Sequence, residues 1–141
     1  MGKDAFSIQY VGSLRTEMTH LASSTRIETD APLDNHGRGE KFSPTDLVAT
    51  SVASCMMTII GIRCKDWGFP PPNMRALVSK VMRDQPRRIA QVEVRMDIQL
   101  DPTWDLPANR TRIRRAAETC PVAKSLHPDC EILLDLNWMD A

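Results

Sequence analysis

The sequence predicts an α+β fold in which antiparallel sheets pack on a long central buried helix. No charged residue occurs from Leu47 to Ile62, so this helix lacks the polar face of a surface helix and should be buried nearly all round. Residues 89–100 alternate strictly between apolar and polar side chains, which is the pattern of a half-buried strand. Strands and helices also come in separate runs along the chain, and this order favours α+β architecture.

The length and charge of the chain limit what it can be. Its 141 residues are enough for one ordinary domain, and we assign residues 1–141 to a single domain. The 18 basic and 18 acidic residues give a net charge of +0, which argues against a nucleic-acid-binding protein. The first residues lack the apolar core of a signal peptide, so we expect a cytoplasmic location. The one basic cluster is most simply a solvated helix face and comprises Arg110, Arg112, Arg114 and Arg115.

The N-terminal region predicts a small sheet. Residues 6–11 and 14–21 show partial alternation and flank a Gly-Ser pair, which predicts a β-hairpin. A third short strand is expected at residues 26–29. Residues 30–41 contain proline, asparagine, two glycines and several charges, so they should form a loop that leads into the central helix.

Capping residues mark the start of the central helix. Ser43 can accept a hydrogen bond from a free N–H group, Pro44 suits the first helical position, and Asp46 places negative charge in the first turn. Gly68 and the prolines at 70–72 end the helix. A membrane span is the alternative, but spans need roughly 20 mainly apolar residues, and serine and threonine dilute this shorter run. We therefore favour a core helix and expect no membrane partner.

The second half of the chain predicts more strands and a second helix. An uncharged helix needs covering on every side, which a chain of this length struggles to supply, so we expect a homodimer. The predicted elements are a hairpin of residues 74–83 and 89–100 with its turn at 84–87, an amphipathic helix at 107–119, a short turn at 122–126 and a strand at 131–139.

The four cysteines, at positions 55, 64, 120 and 130, form no CxxC pair. In a reducing cytosol they are more readily thiols, metal ligands or a redox couple than structural bridges. Cys55 alone is best interpreted as a structural thiol, since free cysteine behaves as a small hydrophobe. His127 and Cys130 could join Cys120 in a zinc site. Pro128 and Asp129 interrupt that segment, and we predict neither a metal nor another cofactor.

Two segments together point to a family. They are GRGEKFSPTDLVATSVASCMMTIIGI at residues 37–62 and CPVAKSL at 120–126, followed by a final strand. With them the chain, from about Asp30 to its end, resembles the OsmC/Ohr family of osmotically induced and organic-hydroperoxide-resistance proteins. The resemblance implies an intertwined homodimer with its long helices in the middle and its active sites at the subunit interface. It also implies an enzyme, a thiol-dependent peroxidase that acts on organic hydroperoxides with a dithiol reductant.

The resemblance assigns the two active-site cysteines to Cys55 and Cys120. Only a thiolate attacks a peroxide well, and the sulfenic acid that results must be captured by a second thiol before it is over-oxidised. In this reading Cys55 is the peroxidatic residue and Cys120 the resolving one. Apolar side chains near Cys55 should favour organic peroxides, because burial of an alkyl tail gains on the order of 0.8 kcal/mol per methylene. These side chains are Val48, Val52, Met56 and Ile59.

The start of the helix departs from the family pattern. Well-characterised peroxidases of the family carry Asn-Pro-Glu there, and the Glu holds an Arg over the reactive sulfur. In this chain Thr45 follows Pro44. Asp46 comes one residue late, which turns its side chain by about 100° around the helix, so it cannot simply inherit the role. The catalytic Arg should come from the N-terminal half, where Arg26 and Arg38 are both candidates.

The missing Glu keeps two other functions open. One is a binding protein that retains the fold and holds an apolar ligand without efficient turnover. The other is a redox sensor in which oxidation of the two cysteines is the signal.

Overall fold

The computed structural model describes residues 2–140. Its strands are β1 (Phe6–Gly12), β2 (Arg15–His20), β3 (Thr25–Asp30), β4 (Asn73–Arg83), β5 (Arg88–Gln99) and β6 (Glu131–Met139). Its α-helices are α1 (Pro44–Asp66), α2 (Pro107–Ala117) and α3 (Pro121–Ser125), and a 3-10 helix spans Leu33–Asn35. The strands form two sheets, of order β1-β2-β3 and β4-β5-β6, so the predicted α+β class is confirmed. The chain divides into two compact units, Met1–Val48 and Ala49–Ala141.

The N-terminal sheet is an antiparallel meander, as the predicted hairpin and third strand require. Its register places Ile8 opposite Met18 and Met18 opposite Ile27. Since side chains alternate between the two faces of a strand, these apolar residues share one face with Phe6 and Tyr10. Phe6 is 69% exposed and Ile8 67% exposed, so the apolar face of this sheet is open in the single chain.

The loop between β3 and α1 follows a fixed path. The N–H of Ala31 donates to the carbonyl of Leu14 at 3.0 Å, and the N–H of Gly39 donates to the carbonyl of Ala31 at 3.2 Å. A Cβ atom at Gly37 would lie 1.7 Å from the carbonyl oxygen of Ala31. Only glycine therefore allows this close approach of the two backbone segments.

A reciprocal pair of hydrogen bonds caps α1. The backbone N–H of Ser43 donates to Oδ2 of Asp46 at 2.9 Å, and the N–H of Asp46 donates to Oγ of Ser43 at 3.0 Å. This is a capping box with Asp in place of the usual Glu. The predicted N-cap at Ser43 and first helical position at Pro44 are confirmed.

The C-terminal sheet is mixed rather than fully antiparallel. β4 and β5 pair antiparallel as predicted, but β6 runs parallel to β5, with Val94 beside Leu134. The chain between β5 and β6 contains α2 and α3, and such a crossover is what parallel neighbours need. The buried residues of β5 follow the predicted alternation and are Val92, Val94, Met96 and Ile98.

The main core joins one face of α1 to β5 and α2. Among its members are Val52 and Ile60 of α1, and Ile113 of α2. The prediction that α1 is buried all round is wrong for the single chain, because Thr58 is exposed and Ile62 is 50% exposed. The uncharged side of α1 thus remains open. By length and composition alone α1 could cross a membrane, but core helices of globular proteins pass the same test.

The arginine cluster on α2 is not a freely solvated face. Arg110 forms an ion pair with Asp105 at 2.6 Å and lies over the ring of Trp138. The guanidinium of Arg112 lies 3.9 Å from the ring centroid of Trp67. Because both arginines contact residues outside α2, the expectation that this cluster is a solvated helix face is corrected.

Candidate active site

The structure brings the thiols of Cys55 and Cys120 together. Cys55 lies in the middle of α1, one turn after the buried Val52, and packs against the edge of the core. Cys120 is the N-cap residue of α3 and directly precedes Pro121. The two thiols are within hydrogen-bonding reach of one another, and neither is in a disulfide.

Cys120 lies in a buried environment in which two backbone groups form hydrogen bonds with its sulfur. Its side chain is fully buried, and its Sγ donates to the backbone carbonyl of Val52 at 3.7 Å. The backbone N–H of Ala123 donates to the same sulfur at 3.5 Å. Burial raises the pKa of the Cys120 thiol, the Ala123 N–H lowers it by a smaller amount, and the nearby Cys55 raises it further. Cys120 is therefore held as a neutral thiol at neutral pH.

Cys55 is only half-buried, unlike its neighbour. A half-exposed thiol is reachable by a molecule in solution, whereas a fully buried one is not. Two neighbouring thiols can also close a disulfide, for which their Cα atoms must lie about 4.4–6.8 Å apart. The pair can thus act as a reversible dithiol–disulfide couple with one accessible sulfur.

The two other thiols lie outside this pair. Cys64 is fully buried in the core, and burial raises its pKa. Cys130 is half-buried just before β6, and burial raises its pKa as well. Within residues 2–140 no three His, Cys, Asp or Glu side chains converge on a possible metal site. Nδ1 of His127 instead accepts the backbone N–H of Asp129 at 3.0 Å.

The predicted apolar wall divides into two groups. Val52 and Met56 face the core and are 0% and 2% exposed, while Val48 and Ile59 are half-buried. Met56 also lines a groove of about 370 Å³ on the C-terminal unit. The other residues of this groove are Arg114, Glu118, Ala123, Lys124, Ile132 and Leu134.

The predicted arginines are surface charges, while another arginine of the N-terminal unit is fixed in place. Arg26 is 69% exposed and lies 3.5 Å from Glu17, and Arg38 is exposed. Arg15, by contrast, is mostly buried and makes a two-pronged contact with Asp30, with Nε–Oδ1 at 2.7 Å and Nη2–Oδ2 at 2.9 Å. This geometry fixes the guanidinium in place.

Further groups surround Arg15 within the N-terminal unit. Its Nη2 is 3.3 Å from Oε2 of Glu40, whose backbone N–H donates to Asp30 at 3.2 Å. Asp30 is 1% exposed, and hydrogen bonding from Arg15 holds its pKa below the usual value. The register of β2 and β3 sets Arg15 opposite Asp30. Pairing the predicted strands residue by residue could have found this contact.

The side chains of Asp46 and Thr45 both contact Ser43 at the start of α1. The Asp46 carboxylate accepts the Ser43 N–H, as described for the cap. The hydroxyl of Thr45 lies 3.2 Å from that of Ser43. The capping contact accounts for the position of Asp46, and a catalytic role for it stays a prediction.

Comparison with known proteins identifies one group. A family model described as OsmC-like protein matches residues 37–135. A protein from Psychrobacter arcticus, named as a candidate osmotic stress induced and detoxification response protein, is 42% identical to this chain. Its structure has a TM-score of 0.90, and the match covers 97% of this chain and 98% of that one. No curated protein matches.

More distant structures share the fold. An OsmC-like protein of unknown function from Vibrio cholerae is 11% identical, with a TM-score of 0.80 over 97% of this chain and 100% of that chain. An organic hydroperoxide resistance protein, OsmC, from Legionella pneumophila is 15% identical, with a TM-score of 0.66 over 97% of this chain and 99% of that chain.

Proposed function

Because this chain belongs to the OsmC family, we propose that it is a thiol-dependent peroxidase that reduces organic hydroperoxides. The observation that carries the proposal is the contact between a half-exposed thiol, Cys55, and a buried one, Cys120. A peroxidatic cysteine needs access to its substrate, and its sulfenic acid needs a second thiol close by. The two cysteines meet these two requirements separately.

The oxidative steps balance with these two residues and a hydroperoxide. The Cys55 thiolate attacks the terminal oxygen of ROOH, the O–O bond breaks, and the alkoxide takes a proton to leave as ROH. Cys55 is now a sulfenic acid. The Cys120 sulfur attacks the sulfur of this sulfenic acid, the S–O bond breaks, and hydroxide leaves with the thiol proton as water. A dithiol from solution then reduces the disulfide.

An organic peroxide suits the surroundings of Cys55 better than hydrogen peroxide. Val48 and Ile59, the half-buried members of the predicted apolar wall, belong to the same helix as Cys55. Each methylene of substrate that leaves water there gains on the order of 0.8 kcal/mol. The name of the Legionella protein, which refers to organic hydroperoxide resistance, is consistent with this choice.

We also propose that the protein works as a homodimer. The apolar face of the N-terminal sheet is open, with Phe6 and Ile8 more than half exposed. The uncharged side of α1 is open as well, at Thr58 and Ile62. An open apolar sheet face is unusual on a monomer and typical of a subunit interface, and an open helix side without charge is consistent with the same role.

Arg15 is held in one position by Asp30 and Glu40, whereas Arg26 and Arg38 are exposed. The role of activating cation, which the resemblance gives to Arg26 or Arg38, stays a prediction.

Peroxide consumption by the purified protein tests the proposed function. With dithiothreitol as reductant, we expect cumene hydroperoxide to be consumed at least roughly tenfold faster than hydrogen peroxide, since burial of its apolar part is worth more than 1.4 kcal/mol. Equal rates would contradict the organic preference. No consumption of either peroxide would contradict the enzyme.

Thr45 favours a second candidate function. Without the family's Glu at the helix start, the protein could bind an apolar ligand and keep its thiols as a redox sensor without efficient turnover. In that case the disulfide forms with stoichiometric peroxide, but catalytic consumption in the presence of dithiothreitol does not follow.

A further inference from the structure

We propose that the reductant attacks the sulfur of Cys55 and that Cys120 is always the sulfur that leaves. This inference rests on the proposed function, because it concerns the disulfide that this function requires. Thiol–disulfide exchange can in principle begin at either sulfur, and it is decided by access and by the stability of the departing thiolate. The structure distinguishes the two sulfurs by their access to solution.

Access favours Cys55. Its thiol is half-exposed, whereas Cys120 is 0% exposed and lies in the main core with Val52 and Ile113. A nucleophile must approach along the S–S axis from behind the sulfur it attacks. At Cys120 that approach meets the protein interior, so an incoming thiolate reaches Cys55 first.

Burial raises the pKa of the Cys120 thiol and so disfavours its thiolate, but a backbone N–H group partly offsets this effect at the departing sulfur. The N–H of Ala123 already points at its Sγ at 3.5 Å, and a hydrogen bond of this kind strengthens as negative charge develops on the sulfur. When the sulfur becomes a thiol again, it donates a hydrogen bond to the carbonyl of Val52 at 3.7 Å. Ala123 and Val52 therefore act through their backbones as positioning residues for the leaving group.

The exchange balances with a dithiol as reductant. Its first thiolate forms a bond to the Cys55 sulfur, the Cys55–Cys120 bond breaks, and the electron pair stays on Cys120. That sulfur takes the proton of the second thiol of the dithiol. The second thiolate then attacks the dithiol's own sulfur in the mixed disulfide, which closes a cyclic disulfide and releases Cys55 as a thiolate. Each cycle thus returns Cys55, rather than Cys120, in its reactive form.

A trapping experiment with glutathione tests which sulfur is attacked. The bridge is made with diamide, so that its formation does not depend on peroxidase activity. Glutathione is then added in excess, and samples are quenched at early times with acid and a larger excess of N-ethylmaleimide, which blocks the released thiols. Peptides are mapped by mass under non-reducing conditions. We expect glutathione on the Cys55 peptide and maleimide on the Cys120 peptide, with at least a tenfold excess over the reverse pattern.

The same reaction on the oxidised protein in guanidinium chloride is the matched control. There the burial of Cys120 is lost, and we expect glutathione on both peptides in similar amounts. Glutathione mainly on Cys120 in the folded protein, or an equal bias in the denatured one, would overturn the inference while leaving peroxidase activity intact. If diamide forms no bridge between Cys55 and Cys120, the inference falls together with the resolving step.

Discussion

At the scale of single residues, burial separates the two thiols that lie side by side. Cys120 is fully buried and its pKa is raised by that burial, while Cys55 is half-exposed. A raised pKa keeps the resolving thiol neutral and protects it from direct oxidation by peroxide, since the thiolate is the reactive form. The accessible thiol is then the one that meets the substrate.

Replacement of Cys55 tests its role as nucleophile. We expect Cys55→Ser to abolish consumption of cumene hydroperoxide, because serine is nearly isosteric but forms no comparable nucleophile at neutral pH. Cys130→Ser, which removes another half-buried thiol, should keep the wild-type rate. Activity in Cys55→Ser equal to wild type would contradict the mechanism, as would loss of activity in both variants with both folds intact by circular dichroism.

Replacement of Cys120 separates resolution from attack. In Cys120→Ala the first turnover should survive, after which Cys55 passes to sulfinic acid and activity decays with each addition of peroxide. Mass mapping of the oxidised wild type should show one bridge, between the Cys55 and Cys120 peptides. A bridge from Cys55 to Cys64 or Cys130, or sustained turnover with no bridge, would make Cys120 a structural thiol.

At the scale of elements, the capping box fixes where α1 begins. Oγ of Ser43 is the acceptor for the Asp46 N–H, and Ser43 is 2% exposed. We expect Ser43→Ala to lower the free energy of unfolding by about 1 kcal/mol, the usual cost of losing an N-cap. Ser125→Ala, at an exposed serine of α3, should stay within about 0.5 kcal/mol of wild type in urea denaturation. Equal effects of the two changes would contradict the capping role.

The contact between β2 and the end of β3 should make stability depend on pH. Because Arg15 holds the pKa of Asp30 below its usual 3.8, the Asp30 carboxylate stabilises the fold above that pH, and this contribution is lost as pH falls through the lowered value. Asp30→Asn should therefore shift the urea midpoint strongly at pH 7 and less at pH 3. The exposed Asp4→Asn should shift it at neither pH, and a constant Asp30→Asn effect at both would contradict the linkage.

At the scale of the whole molecule, local sequence patterns predicted the individual elements, but they did not predict the contacts between distant segments. The Gly-Ser turn, the alternation in β5 and Pro44 each depend on neighbours in the sequence, and these elements are confirmed. The parallel pairing of β6 and the contact of Arg15 with Asp30 depend on residues far apart in the chain, which no local pattern reveals. The cysteine pair was likewise expected only from the family resemblance.

The open apolar face of the N-terminal sheet supports the proposed dimer and offers a direct test of it. Side chains alternate across β1, so Ile8 lies on the apolar face and its neighbour Gln9 on the opposite, polar one. A carboxylate buried in a subunit interface without a partner is strongly unfavourable, whereas one on a solvated face costs little. We expect light scattering at micromolar concentration to give twice 15.9 kDa for the wild type.

With the same measurement, Ile8→Glu should shift the protein towards a monomer, and Gln9→Glu should leave it dimeric. Because both changes introduce the same residue into the same strand, a difference between them reports the face rather than the strand. A monomeric wild type would contradict the dimer. A dimer that both variants preserve would place the interface elsewhere and leave the uncharged side of α1, at Thr58 and Ile62, as the remaining open surface to test.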